Sequence, residues 1–146
     1  MKKAGRYRKK AREILFKTLY TYDLKGGDIF EILEEHLKDV RSNLSAQVLE
    51  YVYSLAKGII DTIDDIDSII NENLKDWRIE RLGYPERALL RLGTYELVFS
   101  EVPDKGRVFI DVLDLAKRYI NNEETLKFLN GVLSTIHKKY NQNVKI

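Results

Sequence analysis

The sequence predicts an all-α domain of six or seven helices, and three observations carry that prediction. Apolar residues recur at helical spacing through nearly the whole chain. No segment of useful length alternates with the period of two that a half-buried strand requires. Only two prolines and eight glycines punctuate 146 residues, which favours a few long elements over many short ones. That length suits one domain, able to bury on the order of two-thirds of its unfolded surface.

The elements follow in order. Ala11, Leu15, Thr18, Leu19 and Tyr22 form one helical stripe, and Gly26-Gly27 supplies its C-terminal stop. Asp28 with Glu31 three residues on has the form of a capping box, and Ile29, Ile32, Leu33, Leu37 and Val40 give the second helix its buried face. Ser45 can cap the long pattern Val48, Val52, Leu55, Ile59, Ile63, Ile66, Ile70 and Leu74, which is expected to break near Asp61–Asp65, with Thr62 starting a second helix. Tyr84-Pro85 places proline at a first helical position, and Leu89, Leu90, Gly93 and Leu97 continue inward. Residues 102–106 read as a turn. Val108, Val112, Leu115, Ala116 and Tyr119 form the next stripe, Asn121-Asn122 interrupt it, and Leu129, Val132, Leu133, Ile136 and Tyr140 form the last.

Composition narrows the chemistry. There is no cysteine, so disulfides, thiolate metal sites and cysteine nucleophiles are excluded. His36 and His137 have no partner at ligand spacing, and the acidic run Asp61, Asp64, Asp65, Asp67, Glu72 lacks the glycine-turned spacing of a calcium loop. No phosphate-cradling glycine loop or nucleophile elbow is present, so no metal and no cofactor are expected, and a binding module is favoured over an enzyme. No apolar run approaches the roughly 18–20 residues that span a bilayer, and the N-terminus lacks the apolar core of a signal peptide. A soluble, cytoplasmic protein without a membrane partner is the expectation.

Charge is polarised along the chain. Lys2, Lys3, Arg6, Arg8, Lys9, Lys10 and Arg12 fall within the first 12 residues with no acidic residue among them, while the remaining 134 carry 18 basic and 23 acidic side chains. A basic arm on an acidic body suits a polyanion partner, because local clusters attract phosphates and net charge does not. A merely solubilising terminus is the competing reading.

Two aromatics fall off their stripes. At roughly 100° per residue, Ala11, Thr18, Leu19 and Tyr22 lie within about 60° of Leu15, whereas Phe16 and Tyr20 lie about 100° and 140° away. A neighbouring helix is expected to cover Phe16, while Tyr20 has the position of an interface anchor. On the last helix Phe128 lies about 100° off the stripe, with Lys127 beside it and Glu124 at the helix start. That placement suits stacking of one unpaired base.

Three stretches together resemble the bacterial transcription antitermination factor NusB. Arg8-Lys9-Lys10-Ala11-Arg12-Glu13 followed by Leu19-Tyr20 is similar to its opening. Glu86-Arg87-Ala88-Leu89-Leu90-Arg91 with Tyr95-Glu96-Leu97 resembles its central helix. Leu115-Ala116-Lys117 and Lys127-Phe128-Leu129-Asn130-Gly131-Val132-Leu133 resemble its C-terminal pair. The ordered set covers roughly half the chain; residues 26–81 add only helical pattern.

The resemblance implies two small packed helical subdomains within one domain, 1–146, with residues 1–12 as a basic arm and a boundary near 81–85. It implies that the protein binds single-stranded boxA RNA together with NusE, a small-subunit ribosomal protein, within the RNA polymerase antitermination complex, notably on ribosomal RNA operons. By position, Arg8, Lys9, Lys10 and Arg12, with Arg6 of the same arm, are expected on RNA phosphates. Phe128 is expected against a base, with Lys127 and Glu124 beside it, and Tyr20 and Glu86 are expected at NusE. Phe109-Ile110-Asp111-Val112 stands where many relatives carry Ile-Asn-Glu-Ala, and the loop before Phe128 is one residue longer than in some. Similar helical domains precede some ribosomal RNA cytosine methyltransferases; this chain shows no cofactor-binding domain, so accessory RNA binding stays open while free-standing methylation is not expected. A purely protein-interacting module also stays open, as does the choice between monomer and homodimer for the free protein.

Overall fold

The computed structural model describes residues 5–75 and 78–141, so Lys2 and Lys3 of the basic arm lie outside the described residues. Six α-helices form among them: α1 (Arg6–Lys25), α2 (Ile29–Leu37), α3 (Ala46–Glu72), α4 (Tyr84–Thr94), α5 (Lys105–Tyr119) and α6 (Glu123–Asn141). Single 3-10 turns occupy Arg41–Asn43 and Ile79–Arg81, and a π-helical turn, Tyr95–Phe99, extends α4.

Local chemistry sets most boundaries. Gly26 ends α1 at φ 76°, a backbone that glycine adopts without a Cβ clash, and its N–H donates to Tyr22 O. The Asp28 carboxylate accepts from the N–H groups of Phe30 (2.8 Å) and Glu31 (3.1 Å) and starts α2. Ser45 Oγ accepts from Val48 N–H at 3.2 Å and starts α3. Asp104 does the same for α5 through Arg107 N–H at 3.2 Å, and Asn122 for α6 through Thr125 N–H at 2.9 Å.

One expectation is met and two are corrected. The break expected in the long third pattern falls at Thr62, which leaves helical geometry and kinks α3 while its hydroxyl donates to Gly58 O at 2.7 Å. Val40 lies beyond α2 and is exposed. Tyr119, the last residue of α5, is 43% exposed rather than buried: the helix ends there, and its ring packs tilted on Phe16, 5.0 Å between centroids.

The buried apolar side chains form one continuous cluster. Helix α1 packs on α2, α3, α4 and α5, and α4 packs on α1, α3, α5 and α6, so these two helices carry the core between them. Two buried arginines tie the assembly. Arg91 of α4 donates to Asp23 of α1 (2.9 and 3.1 Å) and to Asp67 of α3 (2.9 and 3.0 Å). Burial opposes the charge on Arg91, yet the bonds to Asp67 and Asp23 outweigh it and raise its pKa. Arg12 of α1 makes the second tie. Its Nε and Nη2 donate to the two carboxylate oxygens of Glu96, in the π turn, at 2.6 and 2.9 Å. Its Nη1 donates to Asp111 of α5 at 2.8 Å. Tyr51 of α3 donates its hydroxyl to the same Glu96 carboxylate. Lys105 closes the turn by donating to Glu96 O and Ser100 O at 2.7 and 2.8 Å.

Candidate nucleic-acid interface

The basic arm does not act as one block, because the helical turn sends its side chains in three directions. Arg6, Lys9 and Lys10 face a cleft between the start of α1 and the end of α5. Arg8 turns towards α3, where its guanidinium lies 4.9 Å from the Tyr7 ring and 5.6 Å from the Tyr51 ring. It is half-buried there as a cation–π partner.

Arg12 points inward, and the expectation that it meets RNA phosphate is corrected. It is 0% exposed, and three charge-assisted hydrogen bonds commit its guanidinium to Glu96 and Asp111. Burial disfavours its charge, but the bond to and field of Glu96, with Asp111, win and raise its pKa. Burial also raises the Tyr51 pKa, and the Glu96 charge adds to it, so Tyr51 stays a neutral donor.

The α1–α5 cleft, about 640 Å³, is lined by Arg6, Lys9, Lys10, Glu13, Asp114, Lys117 and Arg118. Its ion pairs are long: Lys9 to Asp114 at 3.5 Å, Lys10 to Glu13 at 3.8 Å and Arg118 to Glu13 at 3.3 Å. Lys117 and Arg118 were not expected at a site. The sequence shows Lys117 opposite the buried stripe of α5, which marks it as exposed, but only packing brings it across from the arm.

A second cleft, about 360 Å³, lies where the 3-10 turn and the start of α4 meet the start of α6. Arg81, Leu82, Gly83, Glu86, Asn122, Glu124, Thr125 and Phe128 line it. Glu86 and the pair Glu124 and Phe128, expected at different ligands, therefore share one cavity. Gly83 leaves room for the Glu86 carboxylate, since a Cβ there would sit 2.5 Å from Glu86 Oε1. Phe128 is half-buried and packs against the core, so one part of the ring is anchored while another lines the cleft. Glu124 is exposed. Lys127 is exposed beside Phe128 but does not line the cleft.

Phe16 is buried, as expected of a covered ring. Tyr20 is half-buried and meets Phe16 and Tyr84 edge to face, at 6.3 and 6.2 Å between centroids. Tyr84 opens α4 two residues before Glu86, and Arg87 lies 5.2 Å from its ring. Tyr20 does not line the second cleft; its link to it is the contact with Tyr84, which follows the lining residue Gly83 in the chain. Among the described residues no group of His, Asp and Glu is placed to hold a metal ion, and no helix is long and apolar enough to cross a membrane.

Among the described residues, six helices pack around buried ion pairs and carry a cationic and an aromatic cleft, the architecture of a small all-α protein. The chain belongs to the NusB family, whose pattern matches residues 9–138. It is 66% identical over 134 residues to the transcription antitermination protein NusB of Persephonella marina, covering 92% of this chain and 94% of that one. It is 47% identical over 143 residues to NusB of Aquifex aeolicus, covering 92% and 90%. Among solved structures it is similar, at TM-score 0.85 and 44% identity over 93% of this chain and 99% of the other, to a chain of antitermination factors NusB and NusE in complex with double-stranded RNA. It is also similar to T. maritima NusB, at TM-score 0.83 and 31% identity over 91% and 92%.

Proposed function

We propose that this protein is a cytoplasmic, non-catalytic transcription antitermination factor that binds boxA-type single-stranded RNA jointly with NusE and joins the RNA polymerase antitermination complex, notably on ribosomal RNA operons. The observation that carries the reading is the second cleft, which is lined by the half-buried Phe128 and by Glu86 together. RNA and NusE docked there would touch each other as well as this chain, so each strengthens the other's hold.

Roles follow from exposure. Arg6, Lys9 and Lys10 supply salt-sensitive attraction to phosphates, and Arg8, half-buried over Tyr51, orders the start of α1 beside them. Phe128 stacks on one base, with Lys127 nearby for its phosphate and Glu124 at the cleft rim as an acceptor for base N–H groups. Tyr20 and Glu86 meet NusE. The complex of the structural neighbour holds double-stranded RNA; stacking on Phe128 needs an unpaired base, so strand number is part of the test.

The test is fluorescence anisotropy with a boxA-like single strand, a scrambled strand and a duplex, each with and without NusE. The reading expects the boxA-like strand to bind tightest and NusE to tighten it further. Equal affinity for the scrambled strand in both conditions overturns it. The three exposed arm cations by themselves contribute about −2 to the slope of log affinity on log salt, at about −0.7 per phosphate for single strands.

A further inference from the structure

We propose that the α1–α5 cleft is a phosphate subsite with two walls, Arg6, Lys9 and Lys10 facing Lys117 and Arg118, and that Glu13 and Asp114 are its resident anions, exchanged for RNA phosphates on binding. The proposal rests on the RNA-binding reading above and adds to it a second wall and an internal competitor.

Five cations and two carboxylates line one cleft. Cations gathered at one place repel each other unless an anion lies among them. Glu13 meets that need on one side, 3.8 Å from Lys10, 3.7 Å from Lys17 and 3.3 Å from Arg118. Asp114 meets it on the other, 3.5 Å from Lys9. Each carboxylate stands where a phosphate oxygen would stand.

Magnitudes decide that these pairs are exchangeable. Lys9, Lys10 and Arg118 side chains are 60%, 54% and 51% exposed, and exposed pairs of that kind contribute about 0–1 kcal/mol each. Arg118 uses one nitrogen on Glu13, while its guanidinium is held 5.6 Å from the Tyr119 ring. Its other nitrogens have no protein partner among the described residues, which leaves the planar fork available for a phosphate.

The array suits a strand rather than a single small anion. Arg6 and Lys10 are one turn apart on α1, a rise of about 6 Å, so the first wall offers cations in succession along the cleft. In the free protein the carboxylates damp attraction to unrelated polyanions; on binding, phosphates take over and the carboxylates turn to solvent.

Two variants test this by anisotropy across a salt series, on boxA-like and scrambled RNA, with circular dichroism as the fold control. At about −0.7 per phosphate, each lost cation costs about fivefold between 1 M and 0.1 M salt. Lys117→Ala with Arg118→Ala should therefore weaken binding about 25-fold at about 0.1 M salt and flatten the slope by about 1.4. Arg118→Lys with Lys117 intact should retain most of the slope, since the charge stays. Glu13→Gln should tighten binding about fivefold on both RNAs alike, because phosphates carry no sequence. A folded double variant with the parent's affinity and slope overturns the second wall, and a folded Glu13→Gln that binds no tighter overturns the exchange. Failure of the parent protein to bind either RNA, with or without NusE, is a different result and brings down the RNA reading itself.

Discussion

Replacing Arg12 by methionine should unfold this protein far more readily than its place in a basic arm suggests. The side chain is 0% exposed and donates three hydrogen bonds of 2.6 to 2.9 Å to two carboxylates, themselves 0% and 2% exposed. Arg12→Met keeps the aliphatic stem, strips buried Glu96 of its ion-pair partner and leaves buried Asp111 with only the longer contact to Arg107 at 3.8 Å. Removing one partner of a buried ion network costs about 3–5 kcal/mol, against a total stability of about 5–15 kcal/mol for a domain. At about 2–4 °C per kcal/mol for a chain of this size, the melting temperature should fall by about 6–20 °C. Urea unfolding followed by far-UV circular dichroism measures the loss directly. Changing Arg12, Glu96 and Asp111 together to apolar residues of similar volume should restore much of it, since the penalty lies in the stranded charges. Below its melting range, Arg12→Met should keep the parent's salt slope for RNA, whereas Lys9→Ala should lose about 0.7 of it. A stability loss under about 1 kcal/mol, or a flattened slope in folded Arg12→Met, refutes the assignment of Arg12 to the frame.

Phe128→Ala should lower boxA-like RNA affinity by about 1–3 kcal/mol, read by anisotropy, with helicity unchanged; full retention of affinity removes the stacking role. Tyr20→Asp should weaken NusE capture in a pull-down while leaving direct RNA binding intact, and equal loss of both would mean misfolding instead. His36, at the end of α2 and 3.2 Å from the Thr21 hydroxyl, has its pKa lowered by burial and then by Lys17. The unfolded chain then takes up a proton near pH 6.5 that the folded one refuses. Stability should decline as pH falls through and below about 6.5, and His36→Gln should remove that part of the decline in urea titrations at successive pH values.

What the sequence makes legible is what local chemistry decides. Gly26, Asp28 and Ser45 cap helices with atoms two to four residues away, and the third helix bends at Thr62, inside the stretch where its pattern is expected to break. Arg12 is different, because its partners lie 84 and 99 residues away. A signal was present nonetheless: three residues before Leu15, Arg12 falls about 60° from the stripe centre, the same offset as buried Thr18 on the other side. Set in a run of lysines and arginines, it reads as one more exposed cation. The π turn escaped for a related reason. Leu89, Gly93 and Leu97 predict an uninterrupted helix, and the widening that seats buried Glu96 answers to Arg12 and Lys105, not to its own neighbours. Phe128 and Glu86 were each legible from spacing or resemblance, but their shared cavity depends on how α4 meets α6.

Two sets of ion pairs in one small body should part company in salt. The Arg12 frame is dry and the Arg91 frame largely buried, and both are short, so most of their energy comes from contacts that mobile ions reach poorly. The Glu13 and Asp114 pairs are longer and their cations are at least half-exposed, and the Debye length shrinks from about 10 Å to about 3 Å between 0.1 M and 1 M salt. Five phosphate-facing cations give a slope near about −3.5, so RNA affinity should fall about 3000-fold over that tenfold range. The melting temperature should move by only a few degrees, because exposed pairs contribute about 0–1 kcal/mol each. Anisotropy and thermal melts on the same samples make the comparison. If the melting temperature collapses alongside affinity, the frames are open to ions, and charges that set the shape are not separate from charges that hold RNA.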